Sequence, residues 1–116
     1  MPHLTLELSQ GVQVDDMALL SAINQALFDT GHFEVSKDIK SRIHRTDCSL
    51  IGFVGDGENF VVGHLAIMAG RDEATKHALV ATILKVLQDI VGLDNTGVQY
   101  AVDLVELSPY YQKAMA

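Results

Sequence analysis

The chain has 116 residues, 48% of them hydrophobic and 20% charged, with a formal net charge of −7. That length suits one globular domain with its own core, and the composition excludes a disordered chain. The acidic balance argues against nucleic acid or an anionic membrane as partner, so a small anionic ligand has to be met by a local cationic cluster.

The chain starts Met1-Pro2-His3. Initiator methionine is usually removed before a small residue, and proline qualifies. The mature chain then begins with a secondary amine, a base near neutral pH. The plainer reading is that proline merely follows methionine. Leu4, Leu6 and Leu8 alternate with Thr5, Glu7 and Ser9, which predicts a half-buried strand. Gly11 breaks it, and Asp15 and Asp16 suit an N-cap and a first helical turn. Leu20, Ile23 and Leu27 recur at helical spacing, widened by Leu19, Ala22 and Ala26, and Gly31 suits the helix end. Ile39 to Thr46 alternates as a second strand.

The second half repeats the plan. Residues between Val54 and Phe60, with Gly55 and Gly57, predict a hairpin loop. Phe60 to Met68 is an apolar strand, and Gly70 breaks it. Asp72 and Glu73 cap a helix to about Val91, with a stripe of Leu79, Ile83, Val86, Leu87 and Ile90, ended by Gly92. Val98 to Leu107 is the last strand, with Val98, Tyr100, Val102 and Leu104 on one face. The expected fold is α+β, built from α/β-type units: a tandem β-α-β repeat (residues 2–58 and 59–116) in one domain, 1–116. Right-handed crossovers make each β-α-β pair parallel and give a four-stranded mixed sheet with two helices on one face. Thr5, Ala66, Met68, Ala101 and Val105 fall on the other face, which favours an oligomer.

Lys40, Arg42 and His44 alternate in the second strand and share a face; Ile39, Ser41 and Ile43 take the other. Arg71 sits at the turn into the second helix, where backbone N–H groups also favour an anion. Arginine grips a carboxylate with two parallel hydrogen bonds, and lysine acts as a point charge. A solvated edge strand, charged against unwanted pairing, also accounts for Lys40 and Arg42. His44 and His64 also read as ordinary strand polar residues, and Cys48 as a small structural residue. The single cysteine excludes an intrachain disulfide and fits a cytoplasmic setting. No signal peptide is visible, and no apolar run reaches the roughly 20 residues of a membrane span. CxxC, P-loop and GxGxxG patterns are absent, and His3, His32, His44, His64 and His77 lack metal-ligand spacing.

Together, the proline start, the duplicated plan and the cationic strand resemble the tautomerase superfamily, most of all 5-carboxymethyl-2-hydroxymuconate isomerase. The matching residues are Met1-Pro2-His3, Thr30-Gly31, Ser41-Arg42-Ile43-His44, His64-Leu65, Ala69-Gly70-Arg71 and Glu106-Leu107-Ser108-Pro109. The resemblance implies a trimeric, cofactor-free isomerase of small unsaturated dicarboxylates, met in the catabolism of aromatic compounds. Pro2 is then the base and acid, with Lys40, Arg42, His44 and Arg71 as substrate-binding residues. Burial and neighbouring cations such as Lys40 or Arg71 lower the pKa of such an amine. Lys40 stands where the family pattern has arginine, which keeps the charge and loses the planar fork. The tail ends at Ala116 after Tyr110 and Tyr111; in this family it can shape the pocket or the subunit contact. The alternatives are a related tautomerase with another substrate and a non-enzymatic trimeric scaffold. The catalytic reading holds only if Met1 is removed.

Overall fold

The computed structural model describes residues 1–55 and 57–116. In chain order it contains β1 (His3–Leu8), α1 (Asp16–Asp29), a 3-10 turn (Ser36–Asp38), β2 (Lys40–Arg45), β3 (Asn59–Ile67), α2 (Glu73–Val91) and β4 (Val98–Glu106). The strands lie in the order β2-β1-β3-β4. β1 pairs with β2 and β3 with β4 in parallel, and β1 and β3 join the two units antiparallel. The fold is thus the expected mixed sheet of two β-α-β units.

Local chemistry explains the helices. The Asp15 carboxylate accepts from the Ala18 N–H at 3.0 Å, and Asp72 accepts from Thr75 N–H at 2.8 Å. Each caps an N-terminal turn whose amides have no intrahelical partner. The stripe of α1 is centred one residue earlier than its spacing predicts: Leu19, Ile23 and Leu27 are buried and Leu20 is only partly so. Gly31 follows the α1 cap with φ of +80°, a backbone state that disfavours any side chain. Leu4, Leu6, Leu8, Val61, Leu65 and Ile67 meet Leu19, Ile23, Leu27, Leu79, Ile83 and Leu87 in one core. At Gly63 a Cβ would lie 3.1 Å from Leu6 Cδ2, so the absent side chain makes room for the leucine there.

The opposite sheet face has none of the described helices over it. It carries His3, Thr5 and Glu7, then Lys40, Arg42 and His44 in register beside them. Further across come Val62, His64 and Ala66, aligned with Ala101, Asp103 and Val105. Of its expected occupants Thr5, Ala66, Ala101 and Val105 are on it and Met68 follows the end of β3; the face is cationic at the β2 side and mixed towards β4.

Two expectations are corrected. β1 lies between β2 and β3, so the segment from 46 to 58 cannot be a hairpin; it carries the chain across the end of β1. Asp56, in that segment, lies outside the described residues. Cys48 is exposed on the same connection and fills no core space. No described helix is long and apolar enough to cross a membrane.

Ile83 is fully buried between the helices and the sheet. Ile83→Ala therefore removes packing that cannot fully collapse, and should lower unfolding free energy by about 2–5 kcal/mol in a denaturant titration. A loss below about 0.5 kcal/mol, the range of neutral surface changes, would contradict this core.

Candidate active site

The start of the chain is held by the sheet. Lys40 N–H donates to the Pro2 carbonyl at 3.1 Å, extending the parallel pairing one step before β1. Proline has no N–H to offer, and a strand start is where the sheet tolerates that loss. Pro2 is buried and shares the parity of Leu4, while His3 points to the open face.

A cleft of about 270 Å³ opens beside the chain start, lined by Met1, His32, Phe33, Glu34, Asp38 and Arg71. Arg71 is fixed by donating to the His32 carbonyl at 2.8 Å and by lying 5.0 Å over the Phe33 ring. Lys40 Nζ donates to the Asp38 carbonyl at 3.0 Å, and Lys113 pairs with the Asp38 carboxylate at 2.9 Å. The terminal amine, here that of Met1, sits among these groups. Burial holds its pKa below the usual α-amino value; Asp38 opposes this, and Lys40, Lys113 and Arg71 add to it. A partly buried amine ringed by cations sheds its proton easily and is a ready base.

On the open face Arg42 Nη2 donates to His3 Nδ1 at 3.2 Å. His3 Nε2 lies 3.0 Å from the Tyr111 hydroxyl, which donates to Met1 Sδ at 2.9 Å. Burial first, then Arg42 and Lys40, hold the His3 imidazole below the ordinary histidine range.

Of the residues singled out by sequence, Pro2, Lys40 and Arg71 gather at the chain start. Arg42 is one layer removed, engaged with His3. His44 is not brought there: it pairs with Glu7, about 13 Å along the strand from Lys40. β2 is an edge strand, so its charges also guard against stray pairing. The sequence reading missed His3 as Arg42's partner, and also Asp38, Lys113 and Tyr111. The parity of His3 was a usable signal, since odd residues of β1 face the same side as Lys40 and Arg42. The tail residues carry no local signal, because their contacts span 75 residues or more.

A second cleft of about 340 Å³ lies between α2 and β4, near Lys76 and Asp103. Lys76, the lysine lining that cleft, is already paired with Glu73 at 2.8 Å and Glu106 at 3.5 Å. Among the described residues no cluster of His, Cys, Asp and Glu could hold a metal ion.

A family model described as 5-carboxymethyl-2-hydroxymuconate isomerase matches residues 2–113. No curated protein matches the chain in sequence. Among solved structures, a 5-carboxymethyl-2-hydroxymuconate isomerase from Deinococcus radiodurans is similar at 24% identity, with a TM-score of 0.87 over 97% of this chain and 88% of that one. A 5-carboxymethyl-2-hydroxymuconate delta-isomerase is similar at 17% identity and a TM-score of 0.87, over 100% of this chain and 89% of the other. A fused 4-OT described as a wild type symmetric trimer shares 20% identity and a TM-score of 0.65, over 90% and 85%.

The cationic setting of His3 gives a pH prediction. Its native pKa is depressed, so between that value and the unfolded value of about 6.5 the unfolded chain binds a proton that the native chain refuses. Stability therefore falls as pH drops below about 6.5. Imidazole NMR should show His3 titrating below about 6.5, and Arg42→Ala should raise the value. Titration of His3 at or above the ordinary histidine value contradicts the arrangement.

Proposed function

The chain belongs to the 5-carboxymethyl-2-hydroxymuconate isomerase family and is an isomerase, and we propose that it is a cofactor-free tautomerase with Pro2 as base and acid. Its substrate class is a small unsaturated dicarboxylate such as 5-carboxymethyl-2-hydroxymuconate, of the kind met in aromatic catabolism. The observation that supports this is the chain start itself: the terminal amine, there that of Met1, lies beside Lys40, Arg71 and Lys113. Loss of Met1 moves the terminus to the Pro2 nitrogen, one residue along, in a residue whose carbonyl accepts from the Lys40 amide.

The prolyl nitrogen takes a proton from a dienol hydroxyl or from a carbon next to a carbonyl. An N–H bond forms as the old bond breaks, and its electron pair passes into the conjugated system as a dienolate. The same N–H then delivers the proton to another carbon, the double bond moves, and the amine is neutral again. Lys40 and Arg71 bind the carboxylates and stabilise the developing charge. Arg42 stands behind His3, and His44 lies outside the set within one subunit.

We place this chemistry in a single domain, 1–116, in which the first unit supplies Pro2 and Lys40 and the second Arg71. The half-apolar open face, and exposed Leu50 and Val54 on the 46–58 connection, support self-association. The assembly we propose is a homotrimer, with a solution mass near three times the 12.6 kDa of the chain; a monomer by light scattering would contradict it. A cytoplasmic setting fits the lone unpaired cysteine.

One observation favours a second reading. Lys40 Nζ is turned onto the Asp38 carbonyl, so the clamp is less fork-like than an arginine would make it. A related tautomerase substrate with one carboxylate would suit that clamp. Comparing phenylpyruvate with 5-carboxymethyl-2-hydroxymuconate separates the two readings.

In Met1-free protein, Pro2→Ala should lower kcat/KM by about 10²–10⁴-fold, the span of a lost acid–base group, with the melting temperature kept. Activity should rise with pH as the amine loses its proton, on a limb centred below roughly 7.7. Arg71→Ala should move that limb upward, because a cation that disfavours the protonated amine is gone. Wild-type turnover by Pro2→Ala would sink the mechanism.

A further inference from the structure

Three hydrogen bonds run in series from the open face to the chain start. Arg42 Nη2 meets His3 Nδ1 at 3.2 Å, His3 Nε2 meets Tyr111 Oη at 3.0 Å, and Tyr111 Oη meets Met1 Sδ at 2.9 Å. Chemistry fixes their direction. A guanidinium has donors only, so His3 Nδ1 accepts and carries no proton. The surroundings of His3 favour the neutral ring, since burial and then the Arg42 and Lys40 charges disfavour a second proton. A neutral imidazole that accepts at Nδ1 holds its proton on Nε2. Nε2–H therefore donates to Tyr111 Oη, and the phenol's own proton is left to point at Met1 Sδ.

That last acceptor is weak, and it belongs to the residue whose removal the proline mechanism requires. With Met1 gone, Tyr111 keeps its donor from His3 and its proton has no protein partner in this series. The series begins at a permanent cation, so each bond polarises the next. Lys113, two residues on, pins the same tail to Asp38 at 2.9 Å. The tail is thereby fixed on both sides of the chain start, and a fixed donor needs no reorganisation during reaction.

We propose that Tyr111 is a catalytic residue: once Met1 is removed, its hydroxyl donates to the enolate oxygen that forms as Pro2 takes the proton. His3 and Arg42 are positioning residues behind it. This rests on the Pro2 reading and deepens it. It gives the C-terminal tail a part in the chemistry, and it makes Arg42 act through His3 and not by clasping a carboxylate.

The test uses Met1-free protein with 5-carboxymethyl-2-hydroxymuconate and phenylpyruvate as substrates. Tyr111→Phe should lower kcat by about 10²-fold, the cost of losing one oxyanion donor, with KM little changed. Its acid limb should stay in place, because the amine is untouched. Arg42→Ala reads the same series without altering the tail: it should lower kcat in the wild-type background and have no further effect in the Y111F background. Wild-type kcat in Tyr111→Phe, a loss confined to KM, or simple additivity of the two substitutions overturns the proposal and leaves the role of Pro2 standing. Failure of the wild type to turn over either compound, or full activity of Pro2→Ala, overturns the reading beneath it and this proposal together.

Discussion

One backbone hydrogen bond, from Lys40 N–H to the Pro2 carbonyl at 3.1 Å, ties the start of the chain to the second strand. A chain end is ordinarily the least ordered part of a domain. Here the parallel register of β1 and β2 fixes it, with His3 opposite Lys40 and Thr5 opposite Arg42. The register in turn depends on Leu4, Leu6 and Leu8, each fully buried under the helices. A slip of one residue in β1 would turn those leucines to the open face and His3 away from Arg42. The placement of the amine is thus a consequence of core packing.

Electrostatics at this end of the molecule run against the whole. The chain carries −7, yet Lys40, Arg42, Arg71 and Lys113, four of its eight Lys and Arg residues, collect near the chain start. Exposed charges beyond about 8–10 Å are largely screened at physiological salt, so the local group prevails over the distant acidic surface. Asp38 is the counterweight. It favours the protonated amine, while its own ionised form is stabilised first by the Lys113 hydrogen bond. Lys113 both pairs with Asp38 and repels the ammonium, so the tail adds to the effect of burial and Lys40 on the amine. The family to which the chain belongs is one of isomerases, and a proton-transfer group is most efficient when its pKa lies near the working pH.

Much of this was legible in the sequence. Alternation at Leu4, Leu6 and Leu8 and the acidic caps Asp15 and Asp72 mark the strand–helix units, because period and capping are local properties. Parity alone put Lys40, Arg42 and His44 on one face, with Ala101 and Val105 also on the uncovered side. The order of strands was not legible at the 46–58 connection: its glycines look like a hairpin, and only sheet pairing shows β1 lying between. The His3–Tyr111 and Asp38–Lys113 contacts were hidden for the same reason. Each joins the two ends of the chain's path, and no periodicity links residues 75 or 108 positions apart. Lys40 and Arg71 could be nominated by charge; that they lie together near the chain start, and that His44 does not, depends on register and tertiary placement.

A Pro2 nitrogen that acts as the base is a free amine of lowered basicity. The chain has two prolines, Pro2 and Pro109, so ¹⁵N-proline labelling gives two signals, and Pro109, an internal imide, serves as the non-titrating reference. Following the Pro2 nitrogen with pH should show a titration below the ordinary α-amino value of roughly 7.7–8.0, coincident with the acid limb of kcat/KM. A Pro2 signal that does not titrate, or one that titrates apart from the activity, would rule out the Pro2 nitrogen as the base.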